Sequence, residues 1–236
     1  MRRMRRLIAA IVRHGDYRQL RDTPSAHQPF PLTDKGEAQA REAGAAIREM
    51  LQENGWRLIS SIDCSNLLRA WQTAQILRDE LTKSLSQTLE LNSFDDLAER
   101  GLGSANNLSI AQIEAVICAD PRFPALPDGW KTESSFRLPL QGAESLLDAG
   151  KRVAEHMTAR MNALADISES DSLKLYVGHG AALRHAAFHL GILEYAQIPK
   201  LSMHHARPIY LEYLGDSWRQ LGGAWKIRDD NTEIAD

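Results

Sequence analysis

The chain has 236 residues, 43% of them hydrophobic and 25% charged, with a formal net charge of -3 at pH 7. A chain of this length can bury about 70% of its unfolded surface in a core of its own, and its slight acidity gives no overall attraction for nucleic acid, so any affinity for phosphate must be local. Two cysteines, Cys64 and Cys118, without paired spacing argue against a disulfide framework or a thiolate metal site and point to a reducing compartment, the cytoplasm.

Met1 to Arg6 reads as a solvated basic tail, because the apolar run behind it, Leu7 to Val12, is too short for a secretory signal. No stretch approaches the ~20 apolar residues of a membrane span. Leu7 to Val12, followed by Arg13, His14 and Gly15, predicts a buried strand of a parallel sheet, and such sheets gather ligands at the carboxyl ends of their strands. Asp16 to Pro31 is polar and proline-punctuated, hence a loop, and Arg18 and Arg21 within it either reach an anion at the strand end or are solvated. Thr33 and Asp34 can cap a helix in which Ala40, Ala43, Gly44, Ile47 and Leu51 keep helical spacing as far as Asn54 and Gly55. Leu58 to Asp63 is a second strand.

Ser65 and Asn66 are expected to open another helix, with Leu67, Ala70, Trp71, Ala74, Leu77 and Leu81 on one stripe. Arg69 lies off that stripe in the first turn, where unpaired N–H groups and the helix dipole favour an anion. Thr88 to Leu91 is a third short strand. From about residue 100 to 142 the pattern loosens into Gly-, Asn- and Pro-rich segments with short helical pieces at Ile110 to Ile117 and Pro121 to Gly129. This stretch, too poor in apolar residues for its own core, is expected to be an insertion over the sheet within a single domain spanning 1–236. Residues 144 to 164 form the clearest helix. Leu173 to Val177 is a strand ending in Gly178-His179-Gly180, Ala181 to Leu190 is helical, and Pro208 to Leu214 with Ala224 to Ile227 predict a closing hairpin around Gly215 and Asp216. The expected fold class is α/β, a three-layer α/β/α sandwich with a mainly parallel central sheet.

Two strands, near the beginning and near the end, thus finish in a histidine beside glycine. If both are central and parallel, His14 and His179 meet at one sheet edge with Arg13 and Arg69 beside them, a pocket for a dianion that glycine allows to approach the backbone. His185 and His189, four apart on one helix, and His204-His205 have the residue type for a metal, but no acidic ligand accompanies them and no metal or other cofactor is expected.

These residues resemble the histidine phosphatase superfamily, also called phosphoglycerate mutase-like. The likeness rests on Arg13-His14-Gly15, Leu32 to Ala40, Ser65 to Ala74 with Arg69-Ala70-Trp71-Gln72-Thr73-Ala74, Glu99, Gly142 to Leu146, and Val177-Gly178-His179-Gly180. It implies that His14 is the nucleophile that takes a phosphoryl group, that Arg13, Arg69 and His179 bind it, and that Glu99 is the proton donor, with Asp95 and Asp96 close by in sequence. The chemistry agrees: phosphoryl transfer needs positioning and fixed positive charge, and arginine makes planar two-point contacts with oxygens. His14 must attack through an unprotonated nitrogen, with the other ring N–H held by a backbone carbonyl such as that of Gly15.

Glu99-Arg100-Gly101 and the chain length resemble the cofactor-dependent phosphoglycerate mutases. Where those enzymes hold phosphoglycerate, however, this chain has Leu20 and Ala181 in place of asparagine, Leu102 in place of tyrosine and Ile110 in place of lysine, and Arg122 stands alone where paired arginines are expected. The resemblance therefore implies a phosphomonoester phosphatase lacking second-anion contacts, with a mutase or a phosphohistidine protein phosphatase as the alternatives. The expected partner is a small phosphorylated substrate, not nucleic acid or a membrane, and a homodimer is left open.

Overall fold

A computed structural model describes residues 5–228. Its main sheet has six strands in the order β3-β2-β4-β1-β6-β7. The strands are β1 (Leu7–Arg13), β2 (Arg57–Ser65), β3 (Glu90–Phe94), β4 (Ser172–Gly178), β6 (Ile209–Tyr213) and β7 (Trp218–Gly222), while β5 (Leu201–Ser202) and β8 (Lys226–Ile227) form a separate two-stranded sheet. The first four pair in parallel and the β6–β7 hairpin is antiparallel, so the sheet is mainly parallel.

β1 and β4 lie side by side in the middle, and every residue of both is buried. Alternate β1 residues serve opposite layers, as a strand's period of two requires. Ile8, Ala10 and Val12 pack with helices α1 (Asp34–Asn54) and α2 (Leu68–Leu85), while Leu7, Ala9 and Ile11 pack with α4 (Leu146–Ile167) and α5 (Gly180–His189). This is the expected α/β/α arrangement. Among the described residues no helix is long and apolar enough to cross a membrane.

The helix signals act as anticipated where side chains make caps. Thr33 Oγ1 accepts the Gly36 N–H at 3.1 Å, and Gly55 closes α1 in a left-handed conformation at φ 65°. Ser145 forms a capping box with Asp148 at the start of α4.

Elsewhere local pattern is overridden. Ser65 ends β2 instead of capping α2, whose N-cap is Leu67, and Trp71 is exposed instead of buried on the stripe. β3 starts at Glu90 because only Glu90–Phe94 lies opposite the Ser61–Ser65 end of β2. The hairpin's second strand is Trp218–Gly222, an edge strand whose polar residues face solvent, and Lys226–Ile227 pairs with Leu201–Ser202 instead. Pro121 to Gly129 contains no helix, since Pro121, Pro124 and Pro127 interrupt the donor ladder; α3 (Ile110–Ala119) stands as expected.

The stretch between β3 and α4 has a small core after all: Leu102, Ala105, Ile113, Trp130, Leu138 and Ala143 pack together. They share no period in sequence, which is why pattern alone hides them. Residues 1–4 of the basic tail lie outside the described residues. Arg6 is not solvated as expected, since its Nε donates to Glu212 Oε1 at 2.6 Å and its backbone N–H to Asp171 Oδ1 at 2.8 Å.

One backbone contact fixes the carboxyl end of β1. A Cβ on Gly36 would lie 1.9 Å from the Asp16 carbonyl oxygen, and one on Gly15 would lie 2.4 Å from the Gly36 carbonyl oxygen. The first turn of α1 therefore rests directly on the backbone that follows His14, and Thr33 N–H bonds the Asp16 carbonyl at 3.0 Å. Gly36→Ala should destabilise the protein by about 1–3 kcal/mol, read as a lower denaturant midpoint at unchanged slope; an unchanged midpoint would show that the contact relaxes freely.

Candidate active site

In-register pairing of Arg13 with Gly178 places the two residues that follow, His14 and His179, side by side. Their ring centroids are 5.1 Å apart, and His14 N–H donates to the Gly178 carbonyl at 2.9 Å. Both histidines and Arg69 are essentially inaccessible, and Arg13 is nearly so.

The partners of His14 determine its tautomer. Nδ1 lies 2.7 Å from the Gly15 carbonyl oxygen, which only accepts, so Nδ1 carries the hydrogen. Nε2 lies 3.2 Å from Arg69 Nε, which only donates, so Nε2 presents its lone pair. Burial, then the charges of Arg69, His179, Arg13 and His205, push the His14 pKa well below its ordinary 6.5, which keeps the ring neutral. Burial and Arg69, followed by His27 and Arg13, do the same to His179. His179 Nε2 meets Ser65 Oγ at 2.8 Å, and its Nδ1 has no hydrogen-bond partner among the described residues.

Arg69 is anchored by more than a helix start. Its Nη1 donates to the Gln28 carbonyl, and its Nη2 to those of Ser25 and Ala26, each at 2.8 Å, while the guanidinium lies 4.6 Å from the Tyr17 ring centroid. Arg13 Nη1 donates to the Met203 carbonyl at 2.9 Å.

Glu99 sits at the N-terminus of α5. Its carboxylate accepts backbone N–H bonds from Arg100 at 2.9 Å, Ala181 at 3.2 Å and Ala182 at 3.0 Å. Arg152 of α4 binds the carbonyls of Asp95, Asp96 and Ala98 and so shapes the loop that carries Glu99, while His27 donates to the Glu99 carbonyl at 2.9 Å. Asp95 and Asp96 are exposed; Asp95 accepts from Asn66, and Asp96 lies 3.6 Å from His156.

Of the remaining candidates, Arg18 and Arg21 stay exposed on the loop, and no side-chain hydrogen bond or ion pair links either to the histidine cluster. Ring nitrogens of His185 are engaged by the Ala181 carbonyl at 2.8 Å and Ser134 Oγ at 3.1 Å, and His189 bonds the Leu147 carbonyl at 3.0 Å.

His205, which the sequence offers only as a metal-type residue beside His204, joins the histidine cluster: its ring is 5.6 Å from that of His14 and its Nδ1 is 3.9 Å from Asp16 Oδ1. It arrives from a late loop that carries no signal for this placement. Ser65 was visible in the motif but was read as a helix cap.

A cavity of about 150 Å³ opens beside Glu99, its lining including Arg100, Lys131, Arg184 and Arg228. The cations come from four separate segments, not from the positions at which the resemblance looked for them. Leu102 is buried in the small cluster between β3 and α4, Ile110 packs against that cluster, and Leu20 is exposed.

The family model for the histidine phosphatase superfamily (branch 1) matches residues 9–225. The chain belongs to the histidine phosphatase superfamily. It is an enzyme of that class. Among solved structures it is similar to a mycobacterial glucosyl-3-phosphoglycerate phosphatase at 23% identity, with 94% of this chain and 97% of that chain covered and a TM-score of 0.64. A complex of a mycobacterial glucosyl-3-phosphoglycerate phosphatase with inorganic phosphate aligns at 24% identity over 97% of each chain, TM-score 0.62. A phosphoglycerate mutase from Bacillus anthracis strain Sterne aligns at 15% identity over 93% of each chain, TM-score 0.69. At these identities the likeness establishes the phosphoglycerate mutase-like fold. A search of curated proteins returned no significant match.

The depressed histidine pKa values set a pH dependence of stability. A histidine held neutral binds fewer protons folded than unfolded, so its stabilising contribution is complete above its ordinary pKa and declines as pH falls below it. For His185, which burial pushes down to about 3, the decline runs from 6.5 to about 3. At pH 5.5 it amounts to about 1.4 kcal/mol, and His14 and His179 act in the same direction. Denaturant unfolding at pH 7.5 and 5.5 should show this loss, and the imidazole signals of His14 and His179 should not titrate across that range.

Proposed function

We propose that the chain hydrolyses phosphomonoesters through a phosphohistidine on His14. The reading is carried by the tautomer of His14, with one nitrogen's hydrogen on the Gly15 carbonyl and the other's lone pair facing the guanidinium of Arg69.

In the first step the Arg69 Nε–H turns from His14 Nε2 to a phosphoryl oxygen, the freed Nε2 lone pair attacks phosphorus, and the ester P–O bond breaks. Positive charge developing on the ring is stabilised through Nδ1–H by the Gly15 carbonyl. Arg13, Arg69 and the Nδ1 side of His179 hold the phosphoryl oxygens, with fixed charge where a loose transition state needs it. Glu99, protonated at that stage, gives its proton to the leaving oxygen. In the second step Glu99, now a carboxylate, takes a proton from water as the water oxygen attacks phosphorus, and the P–N bond breaks to return neutral His14 and release phosphate. Burial and three backbone N–H contacts position Glu99 for this role, whereas Asp95 and Asp96 are exposed.

Hydrolysis is preferred over mutase transfer because the positions at which the resemblance expects phosphoglycerate contacts offer none: Leu20 is an exposed apolar side chain, Leu102 is buried in an apolar cluster and Ile110 packs against that cluster. Residues 1–236 are read as one domain, with about 100–142 inserted beside the site. Within that stretch Lys131 reaches the cavity.

Incubation with a radiolabelled phosphomonoester should leave acid-labile, base-stable phosphate on the protein, and His14→Ala should abolish both label and turnover. Equal turnover by His14→Ala overturns the mechanism. Glu99→Gln should slow turnover about 10²–10⁴-fold. With p-nitrophenyl phosphate, whose leaving group needs no proton, it should accumulate phosphoenzyme. Phosphate exchange between phosphoglycerates exceeding release to water would instead establish a mutase.

A further inference from the structure

The contacts of the Glu99 carboxyl do not by themselves hold it through a reaction cycle. As a carboxylate it accepts the N–H groups of Arg100, Ala181 and Ala182. To act as an acid it must first be protonated, and a carboxyl that carries a proton is a poorer acceptor. The bonds on the side chain therefore weaken at the stage when it has to meet the leaving oxygen. Whatever fixes Glu99 at that stage has to act on its backbone.

That hold comes from α4. The half-buried Arg152 guanidinium divides its donors between two targets. Nη1 donates to the carbonyls of Asp95 at 3.0 Å, Asp96 at 2.9 Å and Ala98 at 3.2 Å, in the turn that leads into Glu99. Nε and Nη2 make a two-point pair with Glu144, 3.0 Å to Oε1 and 2.8 Å to Oε2. Glu144 in turn holds the chain beyond Glu99. Its Oε2 accepts the Gly101 N–H at 3.0 Å, and its own N–H donates to the Gly101 carbonyl at 2.9 Å. None of these bonds uses the Glu99 carboxyl, so they persist whether or not it is protonated.

The same helix is fixed against α5. A Cβ on Gly150, two residues before Arg152, would lie 2.4 Å from the His185 Cβ. The helix that holds the Glu99 backbone and the helix whose N-terminus receives the Glu99 carboxylate are thus in direct contact. The ordinary alternative is an ion pair that only stabilises a loop, and its loss would slow every ester alike.

We propose that Arg152, oriented by Glu144, is the positioning residue of the acid step, holding the backbone on both sides of Glu99 so that the protonated side chain stays aimed at the leaving oxygen. The role presupposes the phosphatase reading, in which Glu99 is the acid. Its consequence is a dependence on the leaving group. An ester whose leaving oxygen needs no proton is indifferent to where the acid stands, and an ester with a more basic leaving oxygen is not.

Two aryl esters test it, p-nitrophenyl phosphate and phenyl phosphate, compared by kcat/KM, which for a phosphohistidine route reports only the transfer to His14. The ratio of the first to the second should rise about ten-fold or more in Arg152→Met, which keeps the stem and removes the donors. It should rise in the same direction in the milder Glu144→Gln. Glu99→Gln should raise it too, and adding Arg152→Met to that variant should change it by less than about two-fold, since no acid is left to position. The charge of Arg152 also reaches His179, an effect common to both esters that a ratio cancels, as it cancels a loss of folded protein. A ratio unmoved by Arg152→Met and Glu144→Gln, or raised by Arg152→Met equally with and without Glu99, overturns the proposal and leaves the phosphatase reading standing. If the wild type releases phosphate from neither ester, the phosphatase reading falls and the proposal falls with it.

Discussion

The in-register parallel pairing of β1 with β4 is the constraint on which the site depends. Seven residues of each strand run side by side, buried on both faces, and they stop together at Arg13 and Gly178. Because the strands are central, the chain beyond them has to turn out of the sheet at one place, and the two histidines come with it. The sheet cannot slip by one residue without moving Ile8, Ala10 and Val12 out of one layer and Leu7, Ala9 and Ile11 out of the other. The closeness of His14 and His179 is thus enforced by two hydrophobic layers that contain neither residue.

Electrostatics then act on what the sheet has assembled. Two imidazoles and two guanidiniums in a buried volume repel one another if all are charged, and arginine does not give up its proton. Burial first, and then the neighbouring guanidinium charges, push both histidine pKa values down, and the rings stay neutral. The result is a pocket with fixed positive charge on Arg13 and Arg69 and an uncharged ring between them. Carbonyls of the Ser25 to Gln28 loop hold Arg69 in place without cancelling its charge, since they are dipoles and not anions. A second cluster shows the contrast: buried Asp63 binds Lys174 at 2.6 Å and the more exposed Arg160 at 2.9 Å, so both cations there already have a protein carboxylate.

Most of the fold and the heart of the site were legible because their signals are local. Continuous apolar runs mark β1 and β4, helical spacing with a capping threonine or serine marks α1 and α4, and the Arg-His-Gly and Gly-His-Gly ends follow from the strands they terminate. Glycine at positions 15 and 36 is explained only in three dimensions, by two backbones in contact. What escaped the sequence depends on distant partners. His205 approaches His14 from a loop some 190 residues away, Arg152 shapes the Glu99 loop from a helix more than fifty residues later, and Lys131 and Arg228 meet across a cavity without any spacing rule to connect them. The edge strand β7 was overlooked for a related reason: its polar composition suits solvent exposure, and only its pairing with β6 makes it a strand.

The surroundings of His14 tolerate little change, and the reason is physical. His14 and His179 follow the ends of two buried central strands, Arg69 is held on the first turn of α2 by loop carbonyls, and the Glu99 carboxylate is held by backbone N–H groups at the start of α5. A change at Gly15 or Gly36 therefore acts on the backbone next to His14, and a change at Ser65 removes the hydroxyl that meets His179 Nε2. Lys131 and Arg228 stand between α3 and α4 and after β8, outside the main sheet, so they can be exchanged without disturbing the register of β1 and β4.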